Sequence, residues 1–443
     1  MRHLRWMTLL MVAVIIVANS SCTNHDLFDQ EKTQEISDSL SPVDSIDLYH
    51  TWSLTETRSI TVTANANVNA QWLKILTADP RQSPDAEVAT QVMISDGETV
   101  SMSFCYPNIL TTLYAALEDD EGRYTVTAFS PNTSKVDFSD PLYTKQIMNY
   151  VPQPQVFVYC YEEEMPDFTN LNFDYNDVVL SISYERTGER EIRFHVWLDA
   201  VGTNRPMSAA LHLKNFKYDE IESITTEGGA SFNVNSKGEE IIDQYISVNL
   251  LRDREPLLKS QNQEKEEDKE AVINLFCDAH WATGDLLKPN EQFMLPRKRY
   301  NVSKSSSSSS DYLTIVPREV TYIVTFKESK GLENLNFDLI DPFIIKEYLG
   351  GTFEVHQFAY RNDWVLKNYK LADIVKLPWA LIVPYKKFRY PLDGVNIGFK
   401  KRDIQGFGAY SSARGHTFGE WSMDQDLAHD WYLNEYATDN QVW

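Results

Sequence analysis

The stretch Asn170-Leu-Asn-Phe-Asp-Tyr-Asn-Asp-Val-Val-Leu180, continuing as Ser-Ile-Ser-Tyr184, joins an oxygen-rich turn directly to an apolar strand. Asn172, Asp174 and Asn176 stand two residues apart, with Asp177 next. Oxygen-bearing side chains at that spacing converge when the backbone curls, as in the first half of a calcium loop. An EF-hand is excluded: counted from Asn172, the sixth position is Asp177 where glycine is required, and the twelfth is Ser183 where glutamate is required. Two readings remain open. Asp174, Asn176 and Asp177, with Asn172 and Glu163 or a backbone carbonyl, could hold calcium, or the side chains could cap backbone N–H groups in Asx-turns.

Outward from this turn the chain reads as mostly β. Ile192, Phe194, Val196 and Leu198 alternate with Arg193, His195 and Trp197, the period of a strand with one buried face. Gln155–Tyr161, Val178–Tyr184, Tyr245–Leu250, Glu319–Phe326 and Phe353–Phe358 read as further strands, and helical signal is scarce and concentrated in Glu420–Leu433. Before the turn, residues 51–148 carry short alternating runs such as Val100, Met102 and Phe104, with Asp96-Gly97 and Glu121-Gly122 as turns. That pattern predicts an N-terminal immunoglobulin-like β-sandwich. Residues 150–443 predict a larger antiparallel β-sandwich of jelly-roll type with few short helices. Within it, 253–311 reads as an insertion with mobile ends, given its mixed charge at 261–270 and six serines at 305–310. Between those ends, Ala271–Phe276 and Trp281–Leu287 read as a short helix or hairpin resting on the domain.

The N-terminus reads as an address. Arg2 and Arg5 precede an apolar run, Trp6–Ala18, too short to span a membrane comfortably, and the run ends at Asn19-Ser-Ser-Cys22. Small residues before a cysteine resemble the lipobox of bacterial lipoproteins, which implies a signal peptide over 1–21 and lipid on Cys22. Residues 22–50 are polar and acidic and read as a flexible tether. In it Asp38-Ser-Leu40 and Asp44-Ser-Ile46 look like O-glycosylation acceptors of exported Bacteroidetes proteins, which would place glycans on Ser39 and Ser45.

Composition narrows the partners. The chain of 443 residues has 41 Lys and Arg against 64 Asp and Glu, a net charge of -23 that argues against nucleic acid and anionic lipid. Cys105, Cys160 and Cys277 show no paired spacing and read as inert thiols. No GxSxG, HExxH, phosphate-binding glycine loop or GxGxxG is present, so no catalytic residue is nominated.

Tyr159-Cys-Tyr-Glu-Glu-Glu-Met-Pro-Asp167 followed by Asn172-Phe-Asp-Tyr-Asn-Asp-Val-Val179 resembles the signature of LruC-domain proteins. Ala200–Leu211, Tyr390–Ile397, Phe418-Gly-Glu-Trp421 and Asp430-Trp-Tyr432 are similar to later segments of that family. Asn172 stands where the family has Asp, and Tyr175 where it has Phe. The resemblance covers roughly residues 150–443 and implies an exported, lipid-anchored β protein of the outer membrane or cell surface, with no established activity. Three functions are expected in turn: non-enzymatic binding or adhesion to a glycan or surface protein, with calcium as stabiliser; a structural subunit of a fimbria-like assembly; and a carbohydrate-active enzyme with an unrecognised acidic site. Exposed tryptophans, among them Trp281, Trp364, Trp379 and Trp443, are candidates for stacking on glycans.

Overall fold

A computed structural model of the chain describes residues 49–139, 147–163, 174–233, 269–283, 297–304, 311–348, 351–356, 378–395, 397, 414–439 and 441–443. The expected signal peptide, most of the expected tether, Cys22, Ser39, Ser45, Asn172, Trp364 and the strand expected at Tyr245–Leu250 lie outside these residues. Among the described residues no helix is long and apolar enough to cross a membrane.

The structure is mostly β and is built of packed antiparallel sheets, as the alternation predicts. In the first block, β1 (Thr55–Thr63), β4 (Thr99–Pro107) and β7 (Lys135–Asp137) form one sheet, with β1 between the other two. The facing sheet has β6 (Tyr124–Phe129), β5 (Leu113–Asp119), β2 (Ala70–Leu76), β3 (Glu87–Met93) and the two-residue β8 (Gln153–Pro154) in that order. Ile60, Val62, Leu73, Ile75, Phe104 and Leu117 fill the space between them. β8 runs parallel to β3, so the chain completes the first sandwich before entering the second.

The second block also sets two sheets face to face. One orders β13 (Ile221–Thr226), β17 (Arg318–Phe326), β11 (Glu191–Ala200), β10 (Val178–Arg186), β9 (Val156–Tyr161) and β20 (Ala380–Val383). The other orders β14 (Glu270–Phe276), β12 (Met207–Lys217), β18 (Ile340–Tyr348) and β19 (Gly351–Val355), while β15 (Arg299–Tyr300) and β16 (Tyr312–Leu313) form a separate parallel pair. Phe157, Tyr161, Leu180, Phe194, Leu211, Phe276 and Ile344 belong to the core they share.

One segment differs from expectation. Residues 270–276, inside the presumed insertion, form β14, an edge strand hydrogen-bonded to β12. Its run Glu-Ala-Val-Ile-Asn-Leu-Phe is apolar enough to bury, so it is part of the core rather than a helix or hairpin resting on it. After it comes the short helix α1 (Ala279–Ala282), capped by Asp278. The helical signal over 420–433 falls on α2 (Phe418–Met423) and a 3₁₀ turn at Trp431–Leu433. Thr417 and Glu420 start α2 with a capping box. Asp424 ends it, its backbone extended and its side chain accepting from the Asp426 N–H.

This C-terminal segment covers the outer face of the six-stranded sheet. Val158, Cys160, Val179 and Leu381 on that face cluster with Trp52, Phe418, Trp421, Trp431 and Tyr432. Trp52 lies just before β1, so the start and the end of the described chain meet there; His50 Nε2 lies 2.7 Å from the Trp421 carbonyl. Cover on both faces, a sheet on one and this segment on the other, explains why Val178, Val179 and Leu180 at the start of β10 are buried in succession, before the alternation returns at Ser181.

Candidate functional site

The oxygen-rich turn sits where β9 ends and β10 begins. Val178 pairs with Tyr161, which places Glu162 and Glu163 beside Asp177. The Asp177 N–H donates to the Tyr161 carbonyl (3.1 Å), and the Glu163 N–H donates to Asp177 Oδ2 (2.7 Å). Asp174 Oδ2 accepts the Gly394 N–H at 2.6 Å, and Asn176 Nδ2 donates to the Pro391 carbonyl at 3.1 Å. Between them Tyr175 takes a left-handed φ of 46°, and its hydroxyl donates to the Pro378 carbonyl at 2.7 Å. The turn therefore fastens residues 378–394 to the start of β10. All three named side chains are buried, Asp174 at 0% and Asn176 at 1% exposure.

The two glutamates divide their work. Glu163 turns toward positive charge, accepting the Thr203 hydroxyl (2.7 Å) with Arg205 at 3.5 Å and Lys346 at 3.6 Å. Glu162 turns toward Asp174 and Asp177, and was not singled out from the sequence as a ligand. Burial pushes its carboxyl well above the usual range, and the Asp177 and Asp174 charges and a hydrogen bond with Asp177 push it further. Three buried carboxylates cannot all ionise together, so Glu162 keeps a proton and shares it with Asp177. Among the described residues no three His, Cys, Asp or Glu side chains stand so as to hold a metal ion.

The sign of the pH effect follows. Unfolded, Glu162 releases its proton near the ordinary 4.5; folded, it holds on to it. Its contribution to stability therefore falls as pH rises from 4.5 through the raised folded value. Glu162→Gln, which keeps an N–H in the proton's place, is expected to match the wild type at pH 5. In metal-free buffer at pH 8 it should exceed the wild type by about 1–2 kcal/mol. Urea unfolding at both pH values measures this, and a variant weaker at pH 8 would contradict the shared proton.

A second feature was not legible in the sequence. An open cleft of about 690 Å³ lies between Ile109, just past β4, and the C-terminal segment. Its polar lining includes His416, Glu420, His429 and Asp430, and Leu427 and Leu433 supply apolar wall. His416 Nδ1 donates to Asp430 Oδ1 at 2.5 Å, which fixes the ring, and the Asn108 amide donates to His429 Nδ1 at 2.7 Å. Glu420 is turned back to the Thr417 N–H by the capping box. The volume is that of a small-ligand pocket, and its polar groups converge on it. Among the described residues no Trp, Tyr or Phe lines it, so the tryptophan stacking expected for a glycan is not found there.

No curated protein matches the chain. Among solved structures, a candidate lipoprotein from Bacteroides ovatus is similar at 14% identity and a TM-score of 0.48, over 84% of this chain and 99% of that one. The full-length major pilin SpaD from Corynebacterium diphtheriae aligns at 10% identity and a TM-score of 0.15, over 71% of this chain and 65% of that one. A family model described as a domain of unknown function matches residues 190–421, from β11 to the middle of α2. That is more than half of the chain, which accordingly belongs to the DUF4842 family.

Proposed function

We propose that the chain is a lipid-anchored protein of the outer membrane, exposed at the cell surface, that binds a glycan or a surface protein and has no catalytic activity of its own. The lipobox-like Asn19-Ser-Ser-Cys22 and the LruC-like motifs support the address. The observation that carries the binding role is the cleft at the junction of the two blocks, with imidazole and carboxylate groups held in place around aliphatic wall. Such a lining suits hydroxyl groups, which both donate to carboxylates and accept from imidazole N–H groups. The acid turn supports the non-catalytic reading, because its carboxylates are buried and spent on backbone N–H groups.

Cells producing the chain are expected to retain on their surface the glycan selected from an array. Cys22→Ala should release that binding to the medium. His416→Ala should weaken it at least about tenfold, or about 1.4 kcal/mol, with the fold intact. A featureless array, or full binding by His416→Ala, overturns the cleft as the binding site.

Calcium belongs to the same proposal as a stabiliser of the turn, with Asp174, Asn176 and Asp177 as ligands and Glu162, Glu163 and Asn172 as the remaining oxygens. The described side chains are not drawn together as ligands, but the burial of Glu162 against the Asp177 and Asp174 charges supports the reading, since a divalent cation would replace the proton on Glu162. Calcium is then expected to raise the melting midpoint of the wild type over that in chelator, and to raise that of Glu162→Gln less. An unchanged wild-type midpoint removes calcium and leaves the proton-sharing turn.

A further inference from the structure

Across the four-stranded sheet, on strands remote from the cleft, acids and imidazoles alternate in a single row. Glu270 at the start of β14 places Oε2 at 2.6 Å from His212 Nε2 on β12. His212 pairs in register with Asp341 on β18, and its Nδ1 lies 3.5 Å from Asp341 Oδ2. The same Asp341 oxygen accepts from His356 Nδ1 at 2.8 Å, just past the end of β19. His356 Nε2 in turn faces Glu354 Oε2 at 3.4 Å. The His356 ring stacks on Phe343, with centroids 4.5 Å apart and planes at 21°. His212 and Asp341 are both buried.

A neutral imidazole has one donor and one acceptor nitrogen. Each ring in this row meets a carboxylate oxygen, which only accepts, at both nitrogens. At His356, hydrogen-bonded at both nitrogens, only the doubly protonated imidazolium satisfies both sides. At His212 the Nδ1 contact is a longer ion-pair approach without a hydrogen bond, which also favours the charged ring between its two carboxylates. We infer that Glu270, His212, Asp341, His356 and Glu354 form a proton-held clasp that fastens the β19 edge to the sheet and loosens that edge alone when His356 loses its proton.

The groups facing the row from each strand agree with this. Glu270 comes from β14, Lys214 acts on Asp341 and Glu270 from β12, Asp341 comes from β18 and Glu354 from β19. Burial works against a charged His356, but the Asp341 charge and the hydrogen bonds to Asp341 and Glu354 outweigh it and lift the ring to about 9. Burial likewise opposes a charged His212, and its bonds to Asp341 and Glu270 raise it nonetheless. An unfolded histidine loses its proton near 6.5, whereas folded His356 keeps it to about 9. The clasp is therefore fully closed below about 6.5 and opens as pH rises through about 9.

Imidazole NMR and amide exchange of residues 351–355, recorded on the full chain from pH 6 to 10, test it. His356 is expected to titrate near 9. Over the same range β19 exchange, corrected for its intrinsic base dependence, should rise at least about tenfold while β10 and β11 stay protected. Glu354→Gln keeps the ring and an acceptor oxygen but removes one negative charge beside it, so both transitions should move to lower pH. His356→Gln should abolish the alkaline transition. An imidazole titrating near 6.5, β19 exchange indifferent to pH, or a Glu354→Gln profile like the wild type overturns the clasp.

Discussion

Gly202→Ala is expected to destabilise the second block by about 3 kcal/mol or more. A Cβ at this position would stand 2.1 Å from Asn176 Oδ1 and 2.6 Å from the Asn176 carbonyl oxygen. The nearer atom belongs to a side chain, but the other is backbone and cannot swing away. The Gly202 N–H donates to the Asn176 carbonyl (2.9 Å) and the Asp177 carbonyl (3.0 Å), so retreat from the clash breaks the bonds that hold the turn. Overpacking of this kind costs roughly 1–3 kcal/mol, and each lost hydrogen bond adds roughly 0.5–1.5 kcal/mol. The glycine is needed for close approach. Gly188→Ala is the control: its Cβ would meet nothing nearer than Glu191 Cβ at 3.6 Å, so its effect should stay within about 0.5 kcal/mol. Urea midpoints of the two variants, at unchanged slope, separate them. Equal midpoints would mean that the approach of Gly202 to the turn is not used in solution.

What the sequence disclosed depended on how far each contact reaches along the chain. β11 was legible residue by residue, since its burial alternates from Glu191 to Ala200 as its side chains do. The oxygen-rich turn was legible too, because Asp174, Asn176 and Asp177 are neighbours. The role of Glu162 was not. Whether Glu162 or Glu163 meets Asp177 depends on where β9 stops, and a shift of one residue exchanges them. Gly202 gave no local signal, because its reason lies 26 positions away at Asn176. His416 and Asp430 meet only because α2 ends at Asp424, a stop that the helical signal over 420–433 did not mark. Glu270 was obscured differently: its charged neighbours at 264–269 mark it as part of a solvated run, although the next six residues are core. Strand register alone gathers it with His212 and Asp341.

Asp341→Asn is expected to be the most costly single change to the charged row, and its cost should depend on pH in a direction that identifies the row's charge state. Asp341 is buried, and burial would raise its carboxyl. The His356 charge and the hydrogen bonds from His212 and His356 overcome that and hold it well below the usual range. Removing one member of a buried charge pair commonly costs about 3–5 kcal/mol, because the partner's charge is left without compensation. Histidine, unlike lysine or arginine, has a way out. At pH 9.5 the wild type has already lost most of what His356 contributes, and the variant holds neutral rings, so the two should differ by about 1 kcal/mol. At pH 6 the wild type keeps its full contribution, whereas the variant must either hold two imidazolium ions across a neutral amide, each left with one carboxylate, Glu270 or Glu354, or release their protons. The loss there should approach the upper range. Calorimetric stability of wild type and variant at pH 6, 8 and 9.5 tests this, and a difference that grew toward alkaline pH would mean that the two rings are neutral in the folded protein.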